Sequence, residues 1–299
     1  MDIAELRVDF LTPDEQLNIR KFPSMANIPC LLTIRRECDG GRYVEGESSR
    51  TVLFAQALSF ADEDRSKNFE YVDFEEDFHV SSLEDAALAF GTKIIRSFHD
   101  MNHPVKNIVE RLKKMNKSGY EIPKIAFMPE SLDDVTELFR EAEKLEDNNH
   151  ILIAMGKMGT ASRILGYKLK NYLTYVSAPE SQASLSSLAQ LDPVKLVDLY
   201  RFRKLNNETK IFGITGWPLS GTSSPTIHNE GYRNHEMNCV YIPFPAPKFS
   251  QAMNFAKQLD VRGFSVTIPH KEDVLEKTDV CDESVQSIGA SNTVVNIDG

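Results

Sequence analysis

The chain has 299 residues, with 34 Lys and Arg against 44 Asp and Glu, a formal net charge of −10. Apolar residues make up 41%, enough to bury a core, which excludes a mainly disordered chain. The acidic balance disfavours a nucleic-acid partner, because no dense basic patch offsets repulsion of a polyanion. No stretch approaches the roughly 18 apolar residues of a membrane helix, so no membrane partner is expected.

In chain order, Ile3–Phe10, Cys30–Arg35, Phe69–Glu75, Lys93–Phe98, Pro123–Met128, His150–Ala154 and Tyr172–Val176 are short runs rich in β-branched and aromatic residues. They read as strands, with amphipathic helices at Val105–Met115, Leu132–Leu145 and Thr160–Leu169. β-then-α units in such a series predict an α/β fold with a parallel sheet, a (β/α)8-type barrel lacking its first β/α unit. After the Ser-rich stretch 177–187, Asp192 is an N-cap candidate for a helix over Pro193–Leu205. Asn206–Glu208 reads as a linker. A second, smaller α/β series begins at Lys210: KIFGITG, a helix from Pro225 to His235, CVYIPF, a helix over Phe249–Leu259, GFSVTIP and TVVN. The expected domains are 1–207 and 208–299.

The four cysteines, Cys30, Cys38, Cys239 and Cys281, are scattered without a CxxC pair, and the opening MDIAELRVDF is no signal peptide. A cytoplasmic protein with reduced thiols is expected. His228, Glu230 and His235 lack a third well-spaced ligand, so no metal site is expected.

Charges inside strands carry the chemistry. In Ala4–Phe10 one face is Ala4, Leu6, Val8 and Phe10, and the other is Glu5, Arg7 and Asp9. Asp73 and Glu75 alternate in the same way with Val72 and Phe74. The apolar face belongs under helices, so the ionic face points into the barrel, where charges are costly unless paired or used. Further candidates lie at or near strand ends: Arg35, His99, Lys124 and Arg163. An ordinary lysine with a value near 10.4 is neutral in only about one molecule in 2,500 at pH 7. Desolvation and nearby cations would remove that handicap for Lys124, as a Schiff-base lysine requires.

The strings ELRVD, TIRRECDGG, VDFE, SFHDMN, PKIAFMP and MGKMGTASRILG, in this order, resemble type I 3-dehydroquinate dehydratase. The resemblance implies dehydration of 3-dehydroquinate to 3-dehydroshikimate through a lysine imine, with no cofactor. It assigns Lys124 to the imine and His99 to general base and acid. Asp39, where the family usually has Glu, would orient His99. Glu5, Arg7 and Asp73 would hold substrate hydroxyls, and Arg35 and Arg163 the substrate carboxylate. Ser186 and Gln190 would belong to a closing loop, here reading SSLAQ without the family's Pro-Gly turn. A homodimer is what the family suggests for isolated dehydratases.

Residues 210–299 carry GWPLSGTSSPTIHN, GFSVTIPHK and GASNTVV, which resemble the substrate-binding lobe of shikimate dehydrogenase. The resemblance places shikimate-binding roles on Thr222, Ser224, Thr267 and Asn292, and the catalytic lysine at Lys271. No GxGxxG occurs in the sequence. NADP would therefore act only with a nucleotide domain supplied, and the chain alone is expected to show no dehydrogenase turnover. It reads as a fragment of a longer bifunctional protein, the alternative being a barrel completed in another way, for instance by a neighbouring chain. Two alternatives stand beside this reading: a non-catalytic sensor of quinate-pathway acids with the same tandem domains, and a different Schiff-base aldolase barrel. Lys124 and His99 together weigh against the sensor, since binding alone needs no imine.

Overall fold

The computed structural model describes residues 2–59, 62–116, 118–177, 190–219 and 221–297. Its first sheet contains β1 (Ala4–Arg7), β2 (Cys30–Thr33), β3 (Tyr71–Glu75), β4 (Lys93–Asp100), β5 (Glu121–Phe127) and β6 (Ile151–Ala154). Helices between them are α1 (Pro13–Gln16), α2 (Phe22–Ala26), α3 (Glu47–Leu58), α4 (Ser81–Ala89), α5 (Ile108–Met115) and α6 (Leu132–Glu143), and α7 (Thr160–Ile164) follows β6. The strand order is β1-β2-β3-β4-β5-β6, and β1–β2, β2–β3 and β3–β4 pair in parallel. Sequential order without a reversal is that of a (β/α) barrel sheet, whereas a doubly wound sheet would switch direction. β1 stands at the sheet's edge.

Six of the seven expected strands form, the first only over Ala4–Arg7, where a 3-10 turn takes up Val8–Phe10. Tyr172–Val176 does not: only Val176 makes an isolated bridge, to Leu191. These residues are half-exposed, without the burial on both faces that fixes β2 and β6. The helix expected over Pro193–Leu205 is also broken. Asp192 does cap it, its Oδ1 accepting from Val194 N at 2.9 Å and Lys195 N at 3.0 Å. The chain then makes a π turn over Lys195–Leu199 and a 3-10 turn over Phe202–Lys204. Arg201 between them adopts φ 53°, which a right-handed helix cannot pass through. The helix at Thr160 stops at Ile164, short of the expected Leu169.

The chain folds as two compact units. The first comprises Met1–Met101, Glu110–Ala126 and Asn149–Ile151. Its core includes Phe54 of α3, Phe74 of β3 and Phe78, with ring centroids 4.9–5.4 Å apart. Asp73 and Glu75 alternate with Val72 and Phe74, yet all four are buried. The strand is therefore covered on both faces, one by apolar side chains and one by paired charges.

The second unit comprises Asn102–Val109, Phe127–Asn148 and Leu152–Gly299. It contains a sheet of order β10-β9-β7-β8, from β7 (Lys210–Thr215), β8 (Cys239–Pro243), β9 (Val261–Val266) and β10 (Thr293–Val295). β7 pairs in parallel with β8 and β9, and β10 pairs antiparallel with β9. The helices are α8 (Ser224–Asn234), α9 (Phe249–Gln258) and α10 (Glu283–Ile288). Gly213 of β7 has no room for a side chain, because a Cβ there would sit 2.3 Å from the Ile242 carbonyl oxygen. Within this unit α6 packs on α9: the Phe139 and Phe255 rings lie 6.2 Å apart, and Gln258 bonds both Arg140 and Glu143.

Phe74→Ala opens a cavity beneath β3 between two other aromatic rings. It should lower unfolding free energy by about 3–5 kcal/mol, read as a fall in the urea midpoint.

Candidate active site

Parallel register sets the first site. Arg7, Thr33 and Asp73 stand side by side across β1, β2 and β3, and Glu75 stands beside Ser97 of β4. Side chains two positions apart on a strand share a face, so Arg35 and His99 continue the same surface. Lys124 enters from β5.

These side chains form a buried network of alternating charge. Lys124 Nζ donates to Asp73 Oδ2 at 3.0 Å. Arg35 Nη2 lies 2.6 Å from the same oxygen, and its Nη1 donates to Glu75 Oε1 at 2.7 Å and Ser97 Oγ at 2.9 Å. Ser97 Oγ in turn donates to Asp73 Oδ1. Glu75 Oε2 accepts from Arg50 Nη1 of α3 at 2.6 Å. Glu5 Oε1 accepts from Thr33 Oγ1 at 2.8 Å. Lys124 is 5% exposed, Arg35 3%, Glu75 2%, Asp73 1% and Arg50 0%. At such burial, attraction between opposite charges is weakly screened and an unpaired charge is costly.

Protonation follows from this environment. Burial pushes the Lys124 ammonium below its usual value, and the Arg35 charge adds to the fall, while Asp73 and Glu5 oppose it. Burial also takes His99 well below 6.5, assisted by the cations of Arg35 and Lys124 against the pull of Asp73. Burial would raise Asp73, but Arg35, Lys124 and His99 outweigh it and hold the carboxyl well below the ordinary carboxylate range. Carboxylate neighbours, Asp73 first, keep Arg35 fully charged despite its burial. Near neutral pH the site therefore combines an ionised Asp73, a charged Arg35, a neutral imidazole and an amine that loses its proton more easily than usual.

Glu5, Arg35, Asp73, His99 and Lys124 thus come together within electrostatic reach of one another. Arg7 makes two bonds to Asp9, Nε to Oδ1 at 2.8 Å and Nη2 to Oδ2 at 2.6 Å, and its charge reaches His99. Asp39 is not brought onto His99: its Oδ2 accepts from Arg36 Nε at 2.6 Å, and His99 Nδ1 is buried without a hydrogen-bond partner. Met101 packs over this turn, where a Cβ on Gly40 (φ 80°) would meet its sulfur at 2.6 Å. Ser97, Thr33 and Arg50 belong to the network but did not stand out in the sequence. Two-residue spacing from His99 could have found Ser97. Nothing local marks Arg50, an arginine on a helix.

In the second unit Arg163 of α7 is buried, its Nη1 3.4 Å from the Tyr175 carbonyl oxygen, and burial lowers it to about 10. Gln190 is half-buried and precedes the Leu191 bridge. Ser186 lies outside the described residues. Thr222 Oγ1 accepts from Ser224 N at 3.2 Å where α8 begins. Burial raises the Tyr241 phenol, opposed by its hydrogen bonds to Ser265 and Ser224. Tyr241, which the sequence did not single out, thereby joins α8 to β9. At the end of β9, Val266 N donates to Asn292 O at 2.7 Å, and past it Ser291 N donates to Lys271 O at 2.8 Å. These two backbone bonds gather Thr267, exposed Lys271 and exposed Asn292 at one end of the sheet. Gly216 permits the close approach, since a Cβ there would be 2.4 Å from Thr267 Cγ2.

Residues 1–207 match the family model of type I 3-dehydroquinase, and residues 214–294 that of the shikimate dehydrogenase substrate binding domain. The chain belongs to the type I 3-dehydroquinase family. It is 31% identical over 304 residues to the chloroplastic bifunctional 3-dehydroquinate dehydratase/shikimate dehydrogenase of Arabidopsis thaliana, covering 98% of this chain and 48% of that protein. The shikimate dehydrogenase (NADP(+)) of Pyrococcus furiosus is 43% identical over 96 residues, 32% of this chain and 35% of that protein. The chain thus spans about half or less of these relatives. Among solved structures, the 3-dehydroquinate dehydratase of Aquifex aeolicus superposes with TM-score 0.52 at 27% identity, covering 67% of this chain and 87% of that one. The type I enzyme of Clostridium difficile, solved with covalent modified comenic acid, gives TM-score 0.55 at 26% identity, covering 69% and 83%.

Asp73 has a folded pKa below its unfolded value of 3.8, so its stabilisation is present above 3.8 and is lost as pH falls from there through the lower folded value. Asp73→Asn removes the carboxylate that Arg35 and Lys124 share and should cost about 3–5 kcal/mol at pH 7. Urea midpoints measured down to acid pH should fall less steeply for this variant than for the parent chain.

Proposed function

We propose that residues 1–207 dehydrate 3-dehydroquinate to 3-dehydroshikimate through an imine on Lys124. The observation that carries this is the buried Lys124 amine on Asp73 Oδ2, an oxygen it shares with Arg35, within electrostatic reach of His99. The neutral amine adds to the substrate ketone, and loss of water leaves an iminium, an electron sink that acidifies the neighbouring C–H. His99, kept neutral by burial and cations, accepts that proton. It returns the proton to the departing hydroxyl, which leaves as water. Hydrolysis of the product iminium restores the lysine. The oxygen lost in forming the imine is regained in hydrolysis, so the net reaction expels one water. Ionised Asp73 stabilises each cation that forms on the lysine nitrogen. Arg35 is a counter-ion for the substrate carboxylate, and Glu5 is an acceptor for hydroxyls. Arg7 and Gln190 are further polar contacts for substrate, and Arg163 is a carboxylate-binding guanidinium.

For residues 208–299 the proposal is a lobe that binds shikimate-class acids through Thr222, Ser224, Thr267 and Asn292, with Lys271 as its catalytic lysine. The gathered ends of β9 and β10 support it. NADP is proposed only where a nucleotide domain accompanies this lobe, the shikimate dehydrogenase (NADP(+)) of Pyrococcus furiosus being the relative that suggests it. No helix of the described residues is long and apolar enough to cross a membrane.

Borohydride trapping with 3-dehydroquinate, mapped by mass spectrometry, tests the reading. Lys124→Ala should form no adduct and lose turnover with its fold intact. His99→Ala should still form the adduct while turnover falls about 10²–10⁴-fold. With His99 lowered, kcat/KM should stay level through pH 6.5 and fall only at more acid pH, as the imidazole gains a proton. Tight binding of 3-dehydroquinate with no adduct on Lys124 would overturn the imine in favour of the sensor.

A further inference from the structure

Arg50 is among the largest fully buried side chains of the protein, yet it comes from α3 rather than from a strand end. Its Nη1 donates to Glu75 Oε2 at 2.6 Å and to the Ile34 carbonyl oxygen at 3.0 Å. Its Nε donates to Glu47 Oε2 at 3.1 Å, and its guanidinium lies 4.6 Å from the Phe78 ring centroid. Burying an arginine is costly, and an apolar side chain of similar volume would fill the same space at less cost. The Arg50 contact occupies one of the two Glu75 oxygens. Glu75 keeps the other for Arg35 Nη1, and Arg35 Nη2 remains on Asp73 Oδ2, beside Lys124.

The geometry points to Arg50 as a positioning residue for Lys124: by holding Glu75 Oε2 it keeps Arg35 turned toward Asp73, and so fixes the charge beside the amine. The inference rests on the imine reading of Lys124 and adds to it a control point on a helix behind the strands. Without Arg50, both Glu75 oxygens are open to Arg35, and a two-bond fork pairing draws the guanidinium away from Asp73. Asp73 is then left to Lys124, and the ammonium form is favoured. Removing the Glu75 charge instead leaves two guanidinium groups under-neutralised, which disfavours the ammonium. The two changes act on Lys124 with opposite sign.

Competitive acetylation with acetic anhydride, read peptide by peptide across pH by mass spectrometry, measures the titration midpoint of Lys124 in the 299-residue chain without substrate. Circular dichroism and melting report the fold. Arg50→Met should raise the midpoint by about one unit, leaving about tenfold less neutral amine at pH 7. Arg50→Lys, which keeps the charge, should recover most of the shift. Glu75→Gln should lower the midpoint, and the double variant R50M/E75Q should return close to the parent value. A folded R50M or E75Q with an unmoved Lys124 midpoint overturns the inference. If R50M does not fold, E75Q decides alone: a downward shift supports the assignment and no shift refutes it. A Lys124 that titrates as stated but forms no borohydride adduct with 3-dehydroquinate refutes the imine and leaves the Arg50 role standing.

Discussion

The shared oxygen of Asp73 constrains everything built around it. Two cations, Arg35 and Lys124, meet at Oδ2, and the other oxygen is occupied by Ser97. A carboxylate so placed cannot satisfy both cations fully, and at this burial water cannot make up the difference. Burial disfavours the ammonium and the Arg35 charge adds to that, both opposing the hold of Asp73. Asp73 still stands ready for a cation on the lysine nitrogen. A single ion pair would lock the amine in its charged form, and no pair would leave the iminium of the proposed reaction unsupported.

The same chain of charges explains how so many ionic groups fit among strands. From Arg50 through Glu75, Arg35 and Asp73 to Lys124 each neighbour has the opposite sign. Each carboxylate serves two cations, so removing any member leaves its neighbours with one partner fewer. Such a network supplies little net stability but fixes orientation, because every rotamer is tied at both ends. His99 stands outside the pairing, with a bare Nδ1, and is set by burial and surrounding cations rather than by a carboxylate contact. Lysine, carboxylate and imidazole are thereby driven toward different protonation states by one environment.

The strands were legible because parallel strands buried on both faces read as short apolar runs, as in Cys30–Thr33 and Ile151–Ala154. Tyr172–Val176 has the same composition but only one bridging residue, since composition does not reveal whether a neighbour covers each face. The break at Arg201 was equally hidden, because a left-handed arginine has no local signature. Helix α3 carries polar residues on nearly every side and shows little periodicity, though it delivers both Phe54 and Arg50 to the interior. Asp39 shows the limit for site residues: its position along the chain matched a role at His99, and a neighbouring guanidinium, Arg36, holds it instead.

The sequence by itself determined which charges belong to one face of a strand. The period of two is a property of the extended backbone, and it singled out Glu5, Arg7, Asp73 and Glu75 before any fold was known. It also determined that Lys124 lies within one predicted strand and His99 just past the end of the strand before it. Only the tertiary structure decided who neutralises whom. Ion pairing at short range depends on where a guanidinium on one element meets a carboxylate on another, and Arg50 and Glu75 are joined across 25 residues of chain. That distance in space is set by how α3 packs behind the strands, which no local pattern encodes.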